Sequence, residues 1–464
     1  MSGEDFGRQD KIDLLKIKKI YFVGIGGIGT GSLALLLKEK GIEVEGSDIQ
    51  DSYTLNLLRQ KGIKTFLGHS KDNISEDVDL VCFSSAVRKD RNPEIQEALK
   101  RGIPVIRRGD LLPLVLEDKK VIAVAGSHGK TTIAGIISWL LYKVGIPSSI
   151  FVGGYFVSGM ENAIYQDSDY VVVETDESDA TFLNFKPHIG IVSNIDKEHL
   201  NFYTSFYRLK ESFKEFVKNS KLKILCAEDV NLKEFRFPRT FYYGLYEGDI
   251  TASVERVGKQ SIFKCYFHKT LFGEFILNVL GIHNILNSLP AVFIGIRLGL
   301  ESSVIKEALY SFPGIKRRLE FKGEFKNIQF YDDYAHHPQE IKASIQTLKS
   351  LRPQRMVVIF QPHRFSRVKN LFRDFVSVLK LCDCLILTDI YSAQEEPLEG
   401  VNSERIYKEL LNEGFNNVYY FKKDEIKDFL LSDFLREGDM VVSMGAGDIY
   451  KTVEEVIKVI KEND

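Results

Sequence analysis

The chain has 464 residues, of which 44% are hydrophobic and 27% charged, so it is long enough for several domains, each with its own core. The formal net charge of -2 excludes a general attraction to nucleic acid or anionic membranes, and we expect neither as a partner. The five cysteines lack the spacing of a disulfide framework, and the polar N-terminus is unlike a signal peptide, so we expect a cytoplasmic protein.

The first elements, in residues 1–115, alternate strands and helices. The stretch KKIYFVGIGGIGTGSLALLLKEKG predicts a strand, a turn and a helix, with Gly24, Gly26 and Gly29 in the pattern G-x-G-x-x-G. Asp48 ends the second strand, near where a ribose-binding acid would lie. We therefore expect a small doubly wound sheet that binds a nucleotide, although this pattern alone also suits an NAD-dependent oxidoreductase. Residues 110–113 and 117–120 are predicted to form a linker.

The next stretch, VIAVAGSHGKTT, predicts a buried strand that turns directly into a helix. Gly126 and Gly129 leave backbone N–H groups able to face an anion, Lys130 adds a positive charge, and Thr131 offers a hydroxyl suited to Mg²⁺. Val124 stands where the usual P-loop has a further glycine, so the loop is a shortened variant. The pattern predicts a site for ATP phosphates.

Acidic residues and a histidine follow two later strands of the same segment. Glu174 comes after VVV, and His199 follows IGIVSNIDKE. Because the carboxyl ends of parallel strands meet at one edge of a sheet, both side chains are expected near the phosphate loop. Carboxylate and imidazole beside a triphosphate indicate Mg²⁺ ligands.

The remaining chain carries further polar groups at element ends. GIHNILNSLPAVFIG predicts a helix on which His283 and Asn287 share a face, either to hydrogen-bond a base or simply to cap the helix. Strand-like stretches then end in DDYAHHP and QPHR, and strand–helix alternation continues to the C-terminus. The two histidines beside two aspartates, at 332–337, also suit a metal site.

These motifs in this order resemble the Mur ligase family over nearly the whole chain. The resemblance rests on AGSHGKTT, ETDESD, NIDKEH, GIHNILN, RRLE, DDYAHHP, FQPHR and GAGD. It implies an α/β fold of three domains: a Rossmann-like UDP-sugar domain (1–115), a central P-loop ATPase domain with a mostly parallel sheet (116–313) and a Rossmann-like amino-acid domain (314–464). One departure is Ala180, where the family usually has glycine.

Within the family, GIGGIGTG and DDYAHHP are similar to the branch that adds L-alanine. The resemblance therefore implies ATP-dependent amide formation between the lactoyl carboxylate of UDP-N-acetylmuramate and L-alanine, in peptidoglycan precursor synthesis. An acyl phosphate is the expected intermediate, and ADP and phosphate the other products. Monomer and dimer stay open.

The resemblance also assigns residues to ATP and to two Mg²⁺ ions. Lys130, Glu174, His199 and Arg318 are implied to be catalytic, with Thr131, Glu174 and His199 as metal ligands. Those implied to bind ATP are Gly126, Ser127, His128, Gly129, Lys130, Thr131, Thr132, His283, Asn287, Asp332 and Asp333.

The other two substrates are assigned in the same way. The UDP-sugar is implied to lie on Gly24, Gly26, Gly27, Gly29, Asp48, His69, Ser84 and Ser85. Its diphosphate needs the helix N-terminus, since the glycine loop contains no lysine. The alanine carboxylate is implied to meet His337, Arg364 and Arg367.

Three other functions compete with this interpretation. A cell-wall recycling ligase would join a preformed peptide by the same chemistry, but that branch more often has phenylalanine at the position of Tyr334. An NAD-dependent oxidoreductase leaves the loop at 126–132 unexplained. A non-catalytic nucleotide-binding regulator would not need Glu174, His199 and the arginines together.

Overall fold

The structure is a computed structural model that describes residues 13–84, 86–164, 166, 168–178, 180–393 and 395–462. The chain divides into two compact units. The first unit is Met1–Gly154 with Glu161–Tyr242, and the second is Tyr155–Met160 with Tyr243–Asp464. Among the described residues, no helix combines the length and the apolar character that crossing a membrane requires.

The first unit opens with a five-stranded parallel sheet in the order β3-β2-β1-β4-β5. Its elements are β1 (Lys19–Val23), α1 (Ile28–Glu39), β2 (Glu43–Asp48), α2 (Tyr53–Gln60), β3 (Lys64–Leu67), β4 (Leu80–Phe83), α3 (Pro93–Lys100), β5 (Val105–Arg107) and α4 (Arg108–Val115). The strand order reverses between β1 and β4, and ligands of such sheets bind at the carboxyl ends of the strands beside this point.

A second sheet of the first unit carries the phosphate loop. Its elements are β6 (Lys120–Ala125), α5 (Lys130–Lys143), β7 (Ser148–Phe151), β8 (Ala163–Ile164), β9 (Tyr170–Glu174), β10 (Ile189–Val192), α6 (Leu200–Tyr203), α7 (Phe206–Asn219) and β11 (Leu222–Cys226). The order is β11-β10-β6-β9-β7-β8, and every pairing but that of β7 with β8 is parallel. Buried apolar residues fill β6, as expected for a central parallel strand.

Strand β12 (Thr240–Gly244) runs from the first unit into the second, where an antiparallel set of β13 (Ile250–Arg256), β14 (Ser261–Phe267) and β15 (Thr270–Leu277) follows. Two helices come next, α8 (Ile282–Arg297) and α9 (Ser302–Tyr310). The motif GIHNILN thus lies at the start of a helix, as predicted.

The last sheet has six strands in the order β16-β17-β21-β18-β19-β20. Its elements are β16 (Glu320–Phe325), β17 (Ile328–Asp333), α10 (Pro338–Lys349), β18 (Arg355–Phe360), α11 (Phe365–Asn370), α12 (Phe372–Leu379), β19 (Cys384–Leu387), α13 (Ser403–Asn412), β20 (Val418–Tyr420), α14 (Lys423–Phe429), β21 (Asp439–Met444) and α15 (Ile449–Glu462). The sheet is parallel except for the antiparallel edge strand β16.

The predicted linker at residues 110–113 is wrong, because these residues lie inside α4. Leu111, Leu112 and Val115 are buried, so the apolar side chains of RGDLLPLV stabilise a helix despite the proline. All five cysteines are buried and free. Cys382 and Cys384 lie in the apolar layers on opposite faces of the last sheet, which fits packing.

Candidate active site

The phosphate loop joins β6 to α5 through two glycines in conformations that disfavour side chains. Gly126 has φ 135°, and a Cβ there would lie 2.1 Å from Ser193 Oγ. Gly129 has φ 84° and precedes the first residue of α5. The backbone can therefore turn straight from a buried strand into a helix N-terminus, which favours anions.

Asn194, after β10, holds this loop in place. Its side-chain Oδ1 accepts from the N–H of His128 at 2.8 Å, and its Nδ2 donates to the carbonyl of His128 at 3.1 Å. The N–H of Ser127 donates to the backbone carbonyl of Asn194 at 3.0 Å. The amides of Ser127 and His128 are thus engaged within the protein, which leaves those of Gly126, Gly129 and Lys130 from the predicted phosphate-binding set.

Lys130, the first residue of α5, lies among acceptors. Its Nζ is 2.9 Å from Glu177 Oε1 and 3.2 Å from the carbonyl of Ser127, and it also donates to the carbonyl of Gly126. Burial opposes the charge, but Glu177 and the neighbouring carboxylates outweigh it and raise the pKa of Lys130. The lysine therefore carries a positive charge at neutral pH.

The side chains of Thr131 and Glu174 are in hydrogen-bond contact, which fits the prediction that both are ligands of one metal ion. Thr131 Oγ1 donates to Glu174 Oε1 at 2.9 Å, and the N–H of Gly153 donates to Oε2 at 2.8 Å. A Cβ on Gly153 would lie 2.7 Å from that oxygen, so the glycine lets the backbone approach the carboxylate. Hydroxyl and carboxylate oxygens are suitable Mg²⁺ ligands.

A second group of possible metal ligands surrounds His199. Its Nε2 is 3.7 Å from Glu177 Oε1 and 3.9 Å from Glu198 Oε2, and one ligand atom from each residue lies within 4.8 Å of the others. Glu177 Oε2 is buried and, among the described residues, has no hydrogen-bond partner. Both glutamates lie in the acid-rich stretches noted from sequence, but no role was assigned to either.

The segment between β9 and β10 contains Ala180, which has φ 63°. This is the left-handed region, which favours glycine over residues with a Cβ. The family's usual glycine at this position therefore has a physical explanation, and Ala180 is strained relative to it.

In the first sheet, the glycine loop follows β1 as predicted. Gly24 has φ 79°, and the N–H of Gly26 donates to Asp48 Oδ2 at 2.8 Å. A Cβ on Gly26 would lie 2.9 Å from the same oxygen. Asp48 therefore braces the loop in this structure, and its predicted contact with UDP stays a prediction. Ser85 lies outside the described residues.

His69 belongs to a buried network centred on Glu94. Its Nδ1 lies 2.9 Å from Ser47 Oγ and 3.0 Å from Glu94 Oε2. Glu94 is wholly buried and also accepts from Tyr21 Oη at 2.8 Å and Asn73 Nδ2 at 2.8 Å. Burial acts to raise the pKa of Glu94, but these hydrogen bonds lower it. Sequence reasoning missed Glu94 because a glutamate in an amphipathic helix usually faces solvent.

In the second unit, the two aspartates at the end of β17 form hydrogen bonds with neighbouring side chains. Asp332 accepts from Arg317 Nε at 3.2 Å and from Ser443 Oγ at 2.7 Å. Asp333 accepts from Ser344 Oγ, and burial raises its pKa to about 6. The guanidinium of Arg318, which the resemblance implies to be catalytic, lies 5.3 Å from the ring centre of Tyr334. The implied contacts of both aspartates with ATP stay predictions.

At the start of α8, Asn287 is internally bonded, donating through Nδ2 to Asn284 Oδ1 at 3.1 Å. Burial lowers the pKa of His283 to about 4, so this imidazole is neutral at neutral pH. A neutral imidazole can both donate and accept a hydrogen bond, which suits the predicted contact with adenine.

The residues predicted to bind alanine lie at the carboxyl ends of β17 and β18. His337 caps α10, accepting at Nδ1 from the N–H of Gln339 at 3.4 Å. Arg367 Nη1 is 3.2 Å from Nδ1 of His363. The His363 ring stacks on the ring of Tyr391, with 5.6 Å between the ring centres. Burial lowers the pKa of His363 to about 2, so it is neutral.

Arg364, at the start of α11, has φ 70°. Its Nε is buried and has no hydrogen-bond partner among the described residues. A buried donor without a partner is costly, and a carboxylate ligand would satisfy it.

Comparisons with known proteins agree with this geometry. Three family models match in succession: "Mur ligase family, catalytic domain" at residues 19–120, "Mur ligase middle domain" at 124–295 and "Mur ligase, glutamate ligase domain" at 317–447. The UDP-N-acetylmuramate–L-alanine ligase of Aquifex aeolicus is 39% identical over 452 residues, which are 96% of this chain and 98% of that protein.

The chain belongs to the Mur ligase family.

Other relatives cover the chain to a similar extent. The UDP-N-acetylmuramate–L-alanine ligase of Geobacter sulfurreducens is 40% identical over 457 residues, which are 96% of this chain and 98% of that protein. Among solved structures, the UDP-N-acetylmuramate–alanine ligase of Thermotoga maritima superposes with a TM-score of 0.85 at 30% identity, covering 96% of this chain and all of that one (100%). The expected three-domain α/β fold of a Mur ligase is thereby confirmed.

A murein peptide ligase from Psychrobacter arcticus has a TM-score of 0.71 at 23% identity, covering 96% of this chain and 98% of that one. At this identity the likeness establishes a shared fold and leaves the acceptor open.

Proposed function

We propose that this Mur ligase joins L-alanine to the lactoyl carboxylate of UDP-N-acetylmuramate, at the expense of ATP, in peptidoglycan precursor synthesis. The observation that carries the proposal is a single cavity of about 300 Å³ in the first unit. Gly27, Gly29 and Ser84 from the nucleotide-type sheet line it together with Lys130 and Glu174 from the phosphate-loop sheet. A nucleotide-linked carboxylate and a transferable phosphoryl group can therefore share one cavity.

The chemistry follows from these positions. A carboxylate is a poor acyl donor, and attack of its oxygen on the γ-phosphorus of ATP gives an acyl phosphate and ADP. The amine of alanine then attacks the acyl carbon, and phosphate leaves. Lys130 and the loop amides of Gly126, Gly129 and Lys130 would bind the β- and γ-phosphates and stabilise the negative charge that spreads over the transferred group.

Two metal positions fit the side chains. Thr131 with Glu174 would hold one Mg²⁺, and His199, with Glu177 and Glu198 nearby, would hold a second. Bound Mg²⁺ would neutralise charge on the phosphoryl oxygens.

We assign the remaining predicted contacts as follows. Residues 1–115, 116–313 and 314–464 would each bind one substrate: the UDP-sugar, ATP and alanine. In the last segment, Arg318 would contact phosphate, and Asp332 or Asp333 the ribose. His283 and Asn287 would contact the base, while His337, Arg364 and Arg367 would bind the alanine carboxylate. The protein would act in the cytoplasm.

Phosphate release from ATP in the presence of UDP-N-acetylmuramate tests the proposal. L-Alanine, L-serine, glycine and an L-alanine-containing tripeptide are offered separately, and fast release with L-alanine supports it. Release with the tripeptide alone would assign the protein to peptide recycling instead, and release with none would contradict ligase activity.

The variant Lys130→Ala should abolish release while UDP-N-acetylmuramate still binds. Lys143→Ala, on the exposed last turn of the same helix, is the matched control and should leave release unchanged. Near-normal turnover by Lys130→Ala would contradict the assignment of the phosphate loop.

A further inference from the structure

Arg108 also lines the cavity of the first unit that the glycine loop shares with Lys130 and Glu174. It is the first residue of α4 and directly follows β5. Because β5 is parallel to β4 and β1, Arg108 lies at the same carboxyl edge of the sheet as the glycine loop and Ser84.

The guanidinium of Arg108 is held between the glycine loop and an acid of the ATP side. A Cβ on Gly29 would lie 2.9 Å from Arg108 Nη1, so a side chain at this position would clash with the guanidinium, and glycine leaves room for it. Nη2 donates to Asp176 Oδ2 at 3.4 Å, and the arginine side chain is only 15% exposed. Asp176 follows β9, two residues after Glu174.

The charge balance of the glycine loop calls for a cation. A sugar-nucleotide diphosphate carries two negative charges, whereas a helix N-terminus contributes only about half a positive charge. The loop from Gly24 to Gly29 contains neither lysine nor arginine. Arg108 is the cationic side chain that the cavity places against this loop.

The geometry of Arg108 also leaves capacity for a ligand. A guanidinium has five N–H donors in a planar fork that suits phosphate oxygens. Among the described residues, the hydrogen bond to Asp176 engages Nη2 alone. Asp176 therefore orients the guanidinium while engaging only one of its nitrogen atoms.

We propose that Arg108 is a substrate-binding residue that pairs with the diphosphate of the UDP-sugar, and that Asp176 positions its guanidinium. This inference rests on the proposed function, since it takes a UDP-linked substrate for granted. It assigns the missing positive charge to a residue outside the glycine motif, at the start of α4.

Isothermal titration of the full chain with UDP and with uridine tests the inference. Arg108→Met should bind UDP about 10- to 100-fold more weakly than the unaltered protein, the range expected when one charged hydrogen-bonding partner is lost. Its affinities for uridine and ATP should be unchanged, which also shows that the variant is folded. Arg108→Lys keeps the charge without the fork and should lose less.

The matched control is Arg107→Met. Arg107 is the neighbouring residue, but its Nε pairs with Asp110 Oδ2 at 2.8 Å and it does not line the cavity. This variant should bind UDP within about 2-fold of the unaltered protein. Unchanged UDP affinity in Arg108→Met, or an equal loss for uridine, would overturn the inference alone. Failure of the unaltered protein to prefer UDP over uridine would overturn it together with the proposed function.

Discussion

Asn194 provides a specific test of how the phosphate loop is held. Its side chain makes two hydrogen bonds to the backbone of His128, one through Oδ1 and one through Nδ2. Asn194→Ala removes both and leaves a partly buried N–H and carbonyl to find other partners. Each lost bond costs about 1 kcal/mol net, and more where the group stays without water, so we expect a loss of about 2 to 3 kcal/mol in the free energy of unfolding.

The effect should reach ATP binding as well as stability. His128 lies in the phosphate loop between Gly126 and Gly129, so a more mobile loop would have to be ordered again when ATP binds. A rise of about tenfold in the KM for ATP corresponds to about 1.4 kcal/mol of ordering. The KM for UDP-N-acetylmuramate should change much less.

Urea unfolding followed by tryptophan fluorescence measures the stability term. The only tryptophan of the chain, Trp139, is buried on α5, the helix that follows the loop. Asn417→Ala is the matched control, because it removes one exposed hydrogen bond, from Nδ2 to the carbonyl of Asp383, and should cost less than about 1 kcal/mol. If Asn194→Ala behaves like this control in both unfolding and KM, the assignment of Asn194 as the support of the loop is wrong.

Three further predictions concern single side chains. Glu174→Gln keeps a hydrogen-bond acceptor for Thr131 but loses the negative charge. The rate of phosphate release should therefore fall about 100-fold or more at saturating Mg²⁺ while the protein stays folded. Near-normal release would exclude Glu174 as a Mg²⁺ ligand. Ala180→Gly relieves φ 63° and should raise stability by about 0.5 to 1 kcal/mol in urea unfolding, and no gain would mean that the turn is not strained. Burial raises the folded-state pKa of Asp333 to about 6 from 3.8, so its carboxyl lowers stability as pH rises from about 4 to 6. Asp333→Asn should therefore be less harmful at pH 7.5 than at pH 4.5, by about 2 kcal/mol in the free energy of unfolding, and an equal effect at both pH values would refute the shift.

The sequence was informative where chemistry requires particular residue types at short spacing. The phosphate loop, the glycine loop after β1 and the acids after β9 are local motifs, so their elements could be predicted from the residues. The proximity of Thr131 to Glu174 could also be predicted, because parallel strands bring their carboxyl ends to one edge of the sheet.

Contacts between distant residues could not be predicted in the same way. Glu94 receives hydrogen bonds from Tyr21, Ser47 and Asn73, and only the folded sheet brings these donors together. The two hydrogen bonds between Asn194 and the backbone of His128 likewise depend on the pairing of β10 with β6.

The mistaken linker at residues 110–113 has a different cause. A proline and charged neighbours are typical of linkers, yet Leu111, Leu112 and Val115 are buried in the fold and stabilise α4. Tertiary packing thus outweighed local propensity, and it placed Arg108 beside the glycine loop.

The acyl phosphate is the central claim about the chemistry, and oxygen transfer tests it most directly. UDP-N-acetylmuramate labelled with ¹⁸O in both oxygens of its lactoyl carboxylate is incubated with ATP, Mg²⁺ and L-alanine, and the released phosphate is analysed by mass spectrometry. Attack of the carboxylate on ATP predicts one ¹⁸O in each phosphate and one retained in the new amide. Phosphate without label, formed together with the amide, would contradict the account.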